Sequence, residues 1–247
     1  MIGTMLLFVA ALWAGTQNAL AGGGSFITLP ALILTGMDAR AANITSTIAL
    51  FPGQVVTGWA GRSLVSGAEH VTFRTLVLVS LAGGALGAML LLETPPAFFA
   101  ALVPWLVLFA TGIFAWGSFG SRNTVRRPAG GWGAATAQFF IAVYGGYFGG
   151  GIGFLMLAAL TIAGLAVRNA GATKNVLAGV MNASAVAIFL FSSQVHWGQA
   201  ATTCAGAVLG GLLGGFALHR VDERLLRLFV IAVGLVLTIF LFARAYG

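Results

Sequence analysis

The residues with the most chemistry to offer are two glycine runs and one lysine. Gly22-Gly23-Gly24 and Gly149-Gly150-Gly151 each interrupt a long apolar stretch, and they lie about half a chain apart. Glycine costs roughly 1 kcal/mol against alanine inside a helix. Three together therefore mark a helix break, or a place where backbone approaches another group closely. A helix that restarts after such a break presents unpaired N–H groups and about half a positive charge. That end is suited to anions, and glycine lets an oxyanion reach the backbone. The competing explanation is close helix packing through small residues. It fits Gly83 and Gly87, and Gly206, Gly210, Gly211, Gly214 and Gly215, better than it fits the triple runs. Alanine at Gly83 is then expected to be mild, because alanine still permits close packing.

Lys174 stands just inside an apolar segment, between Thr173 and Asn175. An ionisable group inside a bilayer is costly and marks a pathway or a site; a lysine at a membrane edge can instead snorkel to headgroups. Asn43, Thr45, Ser46 and Thr47 form a comparable polar start in the first half. Hydroxyls and amides donate to oxyanions without adding charge, and they also serve as caps or interhelical bonds. Gln17, Asn18, Gln54, Gln138 and Asn182 are polar groups within apolar stretches, so they must face protein or water. Asn18 precedes the first glycine break and Asn182 lies two turns beyond Lys174, which makes these two the better pathway candidates. Tyr144 and Tyr147 flank Gly145-Gly146 and suit either a gate or an interfacial belt.

The elements that must position these groups are membrane helices. The chain has 247 residues, 59% hydrophobic and 7% charged, against about 25% charged in soluble domains. Its mean hydropathy is +1.00. Ten apolar segments can be drawn: 3–20, 24–36, 43–61, 72–92, 98–117, 131–148, 151–165, 172–191, 199–218 and 224–243. The second and seventh are too short for a core of roughly 30 Å, so crossing and re-entry both stay open for them. Ala19-Leu20-Ala21 has the look of a cleavage site, but no Lys or Arg precedes Arg40, so the first stretch reads as a membrane helix rather than a signal peptide.

Charge gives the orientation. The basic linker 118–130 carries Arg122, Arg126 and Arg127 and no acid, which places it in the cytoplasm. With all ten segments crossing, Arg62, Arg74, Arg168, Lys174, Arg220, Arg224 and Arg227 then fall on the same side; only Arg40 and Arg244 do not. The same linker divides the chain into two membrane repeats, residues 1–117 and 131–247, of five segments each. An odd number per half requires the second to be inverted. Matched features follow in the same order: Gly22 to Gly24 with Gly149 to Gly151, Gly36 to Arg40 with Gly164 to Arg168, Thr45 to Thr47 with Thr173 to Asn175, and Val71 to Phe73 with Val195 to Trp197. The expected fold is an all-α polytopic membrane protein of two inverted five-segment repeats with glycine-broken helices. Its substrate would bind where the breaks meet.

In this order of motifs the chain resembles the TauE/SafE sulfite exporter family, also called the toluene sulfonate uptake permease family. The resemblance rests on Gly22 to Pro30, Ala42 to Ser46, Gly149 to Gly153 and Ala172-Thr173-Lys174-Asn175, and it covers nearly the whole chain. It implies a permease for sulfite, organosulfonates or related small anions, in a bacterial inner membrane. The candidate binding residues are Gly22, Gly23, Gly24, Gly149, Gly150, Gly151, Lys174, Thr173, Asn175, Asn43, Thr45, Ser46, Asn18 and Asn182.

The absences narrow the function. All five acids, Asp38, Glu69, Glu93, Asp222 and Glu223, fall at segment ends or loops, so there is no intramembrane carboxylate for a cation path. No nucleotide-binding motif is present, and no cofactor or nucleic-acid partner is expected. The partners are a small anion and the bilayer, and homo-oligomer formation stays open. Cys204 has no disulfide or metal-ligand company in the sequence. His70, His196 and His219 lie near segment ends, which disfavours an intramembrane Ser–His enzyme. A channel or carrier for another solute, and a non-transporting membrane subunit, remain the alternatives.

The orientation can be checked by single-cysteine labelling in a Cys204→Ser background. Positions 126 and 220 should react only from the cytoplasm, and positions 93 and 194 from outside. Label reaching position 126 from outside the cell would reverse the assignment.

Overall fold

The computed structural model describes residues 2–20, 23–68, 71–119, 131–217 and 223–246. Gly22, Arg220 and the stretch 120–130, with the three arginines of the basic linker, lie outside the described residues. Among the described residues ten α-helices run in order: α1 Ile2–Leu20, α2 Ser25–Leu34, α3 Ala39–Ala60, α4 Phe73–Glu93, α5 Pro96–Phe119, α6 Gly131–Tyr147, α7 Ile152–Ile162, α8 Val167–Phe189, α9 Trp197–Ala217 and α10 Glu223–Tyr246. They match the ten apolar segments closely.

Local chemistry sets the boundaries. Asp38 caps α3 by accepting from the backbone N–H groups of Arg40 and Ala41 at 3.0 Å each. Thr72 caps α4 by accepting from Thr75 N–H at 3.2 Å. The two short helices stop at Gly36 and Gly164, at φ +95° and +97°. Glycine enters this left-handed region without the Cβ penalty, which is why it ends helices. At ~1.5 Å per residue, α2 and α7 are each only about half the thickness of the hydrocarbon core.

The surface is apolar. Leu78, Phe98, Trp132, Phe191, Val236 and Ile239 are all exposed. Among the described residues, four helical spans, Phe73–Glu93, Pro96–Gly117, Val167–Phe189 and Arg227–Tyr246, are long and apolar enough to cross a bilayer. An apolar girdle this extensive belongs in lipid. Arg40, one of the two basic residues outside the charge pattern, has a structural task. Its Nη1 donates to the carbonyls of Leu92 and Thr94 at 3.1 and 2.6 Å, closing the C-terminal end of α4.

Helix pairing follows a rule of exchange. α1 packs on α9 and α6 on α4; α3 packs on α9 and α8 on α4; α2 touches α10 and α7 touches α5; α3 meets α8, and α5 meets α10. Replacing each helix by the one five places along turns one contact of each pair into the other. Direction can be read from the same contacts. Gly206 lies against Phe8 and Gly210 against Leu12, so α1 and α9 run parallel. Gly83 lies against Phe139 and Gly87 against Val143, so α4 and α6 do too. Gln54 meets Asn182 and Gly61 meets Ala172, so α3 and α8 are antiparallel. Tyr246 bonds to Ala101 and Gly234 meets Thr111, so α5 and α10 are antiparallel. These four relations hold together only if α2 and α7 each carry the chain from one side of the bundle to the other. That resolves the choice the sequence left open, since re-entry of α7 would make α3 and α8 parallel and re-entry of α2 alone would make α1 and α9 antiparallel.

The parallel pairs approach closely enough to correct one expectation. A Cβ added at Gly83 would sit 2.7 Å from both Phe139 O and Ala142 Cβ. Alanine there is not mild, because backbone fills the space that its methyl needs. Gly87 and Gly210 are tighter still, against the carbonyls of Val143 and Leu12. Gly87→Ala and Gly210→Ala should each destabilise the protein by about 1–3 kcal/mol through overpacking. Gly112→Ala, with nothing within 4 Å, should be neutral. Thermal unfolding of the purified variants in detergent measures the difference, and equal midpoints for all three would contradict this packing.

Candidate functional site

A cavity of about 90 Å³ lies where the two short helices begin and α3 crosses α8. A water needs about 10–15 Å³ on this measure, so the space holds on the order of six to nine water-sized groups.

The cavity is built from matched positions. Gly23 and Gly151, Ser25 and Gly153, Ser46 and Lys174, Thr47 and Asn175, Leu50 and Ala178, and Gln54 and Asn182 all line it. The members of each pair are 128 positions apart, as in the Gln54–Asn182 bond. The same register joins the helix-ending Gly36 and Gly164. It moves the glycine match by one residue from the alignment of the two triple runs. Gly23 at φ +81° answers Gly151 at φ +74°, and both hold the left-handed turn that starts a short helix.

Two hydrogen bonds organise the polar wall. Asn182 Nδ2 donates to Gln54 Oε1 at 2.5 Å, joining α8 to α3 at their crossing. Lys174 Nζ donates to Asn175 Oδ1 at 3.0 Å. The same ammonium lies 3.5 Å from where a Cβ on Gly153 would be, so the missing side chain gives it room at the first turn of α7. Among the described residues, no acid lines the cavity and Lys174 is the one basic residue that does. The local field is positive.

The structure brings together Asn18, Gly23, Ser46, Gly149, Gly151, Lys174, Asn175 and Asn182. The other described candidates lie outside the lining, with other tasks. Thr45 Oγ1 accepts from His196 N–H at 3.4 Å, and Thr173 Oγ1 accepts from Ser66 N–H at 3.1 Å. These two matched threonines each hold the loop that enters a helix of the opposite half. Asn43 donates to Tyr147 O at 3.1 Å. Gly24 is packed on Ala14 of α1, where a Cβ would come within 2.8 Å of the carbonyl oxygen. Gly150 is covered by the Phe148 ring, 2.5 Å from where its Cβ would be. Tyr144 and Tyr147 are also off the lining. They bond to Leu106 O and Thr94 Oγ1 at 3.4 and 3.3 Å.

Ser25, Gly153, Phe148, Phe154, Thr57 and Gln54 were not among the binding candidates read from the sequence, although Ser25 and Gly153 lie in its glycine motifs, yet all six line the cavity. The signal for Gln54 was present. Extending the match of Thr45–Thr47 with Thr173–Asn175 along the helices sets Gln54 opposite Asn182. The aromatic pair carried no such signal. Phe154 is fixed by an edge-on contact with Phe114, ring centres 4.0 Å apart, which depends on how α7 meets α5.

An apolar helical bundle with a polar cavity enclosed between broken helices defines an integral membrane protein of the transporter class. The chain belongs to the sulfite exporter TauE/SafE family, whose description matches residues 7–241. It is 29% identical to a probable membrane transporter protein of Haemophilus influenzae, over 94% of this chain and 92% of that one. It is 30% identical to the probable membrane transporter protein ORF9 of Sinorhizobium sp, over 96% and 91%. To the probable membrane transporter protein YfcA of Escherichia coli it is 25% identical, over 98% and 90%.

The left-handed turns can be tested apart from transport. Gly151→Ala forces a methyl group onto φ +74° and to within 2.9 Å of Ala110 Cβ. Strain of this kind costs on the order of 1–3 kcal/mol. Gly153→Ala meets only the lysine ammonium at 3.5 Å, an ordinary contact. Thermal unfolding should show a clear loss for Gly151→Ala and little for Gly153→Ala.

Proposed function

We propose that this protein is a secondary permease for small sulfur-containing oxyanions, such as sulfite or organosulfonates, in a bacterial inner membrane. The observation that carries the reading is the ammonium of Lys174 in a small cavity, where it is the one charged group among the described lining residues. An ammonium and hydroxyl or amide donors match an oxyanion, and the starts of the two short helices add backbone polarity of the same sign. The positive-inside pattern and the bacterial sources of the relatives support the location.

The two halves act as inverted repeats, residues 1–117 and 131–247, joined by the basic linker. Support comes from the matched helices α3 and α8, and α5 and α10, which run antiparallel, as inversion requires. Access alternates as one half rocks on the other about the α3–α8 crossing, with the cavity as the fixed point. Lys174 binds the anion, while Ser46 and Thr47 are its polar counterparts on the first half. In a negative-inside cell, outward movement of an anion is favoured by about 2.3 kcal/mol per charge per 100 mV. Export therefore needs no further energy source, whereas uptake needs a coupled ion.

Flux in proteoliposomes across sulfite, sulfonates, sulfate, acetate and chloride tests the reading. Sulfite or a sulfonate should move, and none of the panel moving would remove it. Hydrogen bonds to charged groups contribute roughly 1.5–3 kcal/mol, so Lys174→Gln should weaken anion affinity about ten- to a hundredfold. Lys174→Arg should also be impaired, since the fixed guanidinium fork does not fit where an ammonium does. A lysine that only meets headgroups would let arginine replace it fully and leave the Gln variant's affinity unchanged.

A further inference from the structure

Among the described residues, α4 and α9 contribute nothing to the cavity wall, yet they hold the helices that form it. α9 backs α1 and α3, and α4 backs α6 and α8, in each case from the opposite half of the chain. The backing contacts are tight. A Cβ at Gly206 would come within 2.6 Å of Phe8 O, and one at Gly83 within 2.7 Å of Phe139 O. Thr16 Oγ1 donates to Gly210 O at 2.9 Å across α1 and α9, and Gln138 Nε2 to Ser80 Oγ at 2.8 Å across α4 and α6. The α3–α8 crossing is looser. A Cβ at Gly58 or Gly61 would meet α8 at 3.5 Å, an ordinary contact. The bodies free to rock on that crossing are therefore α1–α3 with α9, and α6–α8 with α4. Each takes three helices from one half and one from the other.

The start of α3 is bonded across to the second body. Arg40 Nη1 donates to Leu92 O and Thr94 O at the end of α4, at 3.1 and 2.6 Å. Asn43 Nδ2 donates to Tyr147 O at the end of α6, at 3.1 Å. These bonds close the face that the charge pattern sets outside. In the 128-residue register, Arg40 answers Arg168 and Asn43 answers Gly171. Arg168 is exposed at the start of α8, and among the described residues it makes no bond of this kind. Leu64 and Ser66, which bond to Asn169 and Thr173, belong to the run entering α4 and tie that helix to its own body. The exchange that sets Arg168 opposite Arg40 sets the end of α9 opposite the end of α4. Carbonyls left unpaired at a helix C-terminus attract a cation.

Resting on the proposed permease reading, we infer that Arg40 and Arg168 are alternating latches. Arg40 holds the two bodies together on the outer face in the state seen here. Arg168 takes the equivalent place, on the C-terminal carbonyls of α9, when the bodies rock and the inner face closes.

Thiol labelling at Ala178→Cys, a position on the cavity wall, tests this in the full-length Cys204→Ser protein. A membrane-impermeant maleimide is applied to intact cells and to inverted vesicles, and the ratio of outside to cytoplasmic rates is read. Arg40→Gln should raise the ratio about ten- to a hundredfold, the factor for one hydrogen bond to a charged group. Arg168→Gln should lower it by a similar factor, because it removes a bond of the other state. The double variant should return close to the parent. An exposed arginine with no latch role would leave the ratio unchanged, so an unchanged ratio in Arg168→Gln, or a shift in the same direction as Arg40→Gln, overturns the alternation. A lower unfolding midpoint for Arg40→Gln at the parent's ratio makes Arg40 a helix cap only and also refutes it. So does a failure to label from either face. Sulfite and sulfonate flux by the parent, read separately, tells the two readings apart: flux with unmoved ratios removes the latches alone, and no flux removes the permease reading with them.

Discussion

A broken helix inside a bilayer is tolerable only where protein or an aqueous cavity meets the freed backbone, because lipid offers no hydrogen bonds. Everything central to this molecule follows from having two such breaks. Each short helix begins at a left-handed glycine, and each start opens onto the same small cavity. The breaks need shielding from lipid, and the long helices supply it. α1 and α6, which lead into the breaks, are each clamped by a helix of the opposite half. The clamps are glycine-lined, so backbone meets backbone and no lipid chain can enter. Glycine therefore has two separate uses here. At Gly23 and Gly151 it permits a backbone angle, and at Gly87 and Gly210 it permits proximity.

Positions 128 apart share structural tasks and then diverge at the chemical groups. Thr45 and Thr173 keep the same task, as do Gly36 and Gly164. Inside the cavity the pairs diverge: Ser46 against Lys174, Thr47 against Asn175, Ser25 against Gly153. Among the described lining residues Lys174 is the one cation, and it breaks the symmetry of the field. Gly153 belongs to that divergence, because a larger residue would crowd the ammonium it faces.

The sequence by itself determined the ten helices, their order and the membrane environment. These depend on run length, on charge between runs and on capping residues such as Asp38, all of which are local. It also marked Lys174, Asn182 and the glycine runs, because charge, amides and consecutive glycines are conspicuous in an apolar chain. Only the tertiary structure decided which polar groups face the cavity. Thr173 and Lys174 are neighbours in sequence, yet one is consumed by Ser66 and the other faces the cavity. The difference is the rotation of α8 against α3, which no local pattern records. The crossing of α2 and α7 was decided in the same way. Their length was ambiguous, and only the direction of helices packed across the two halves could show that each carries the chain through. The tolerance of Gly83 depended on a separation between backbones, and that separation is set by every contact along α4 and α6 together.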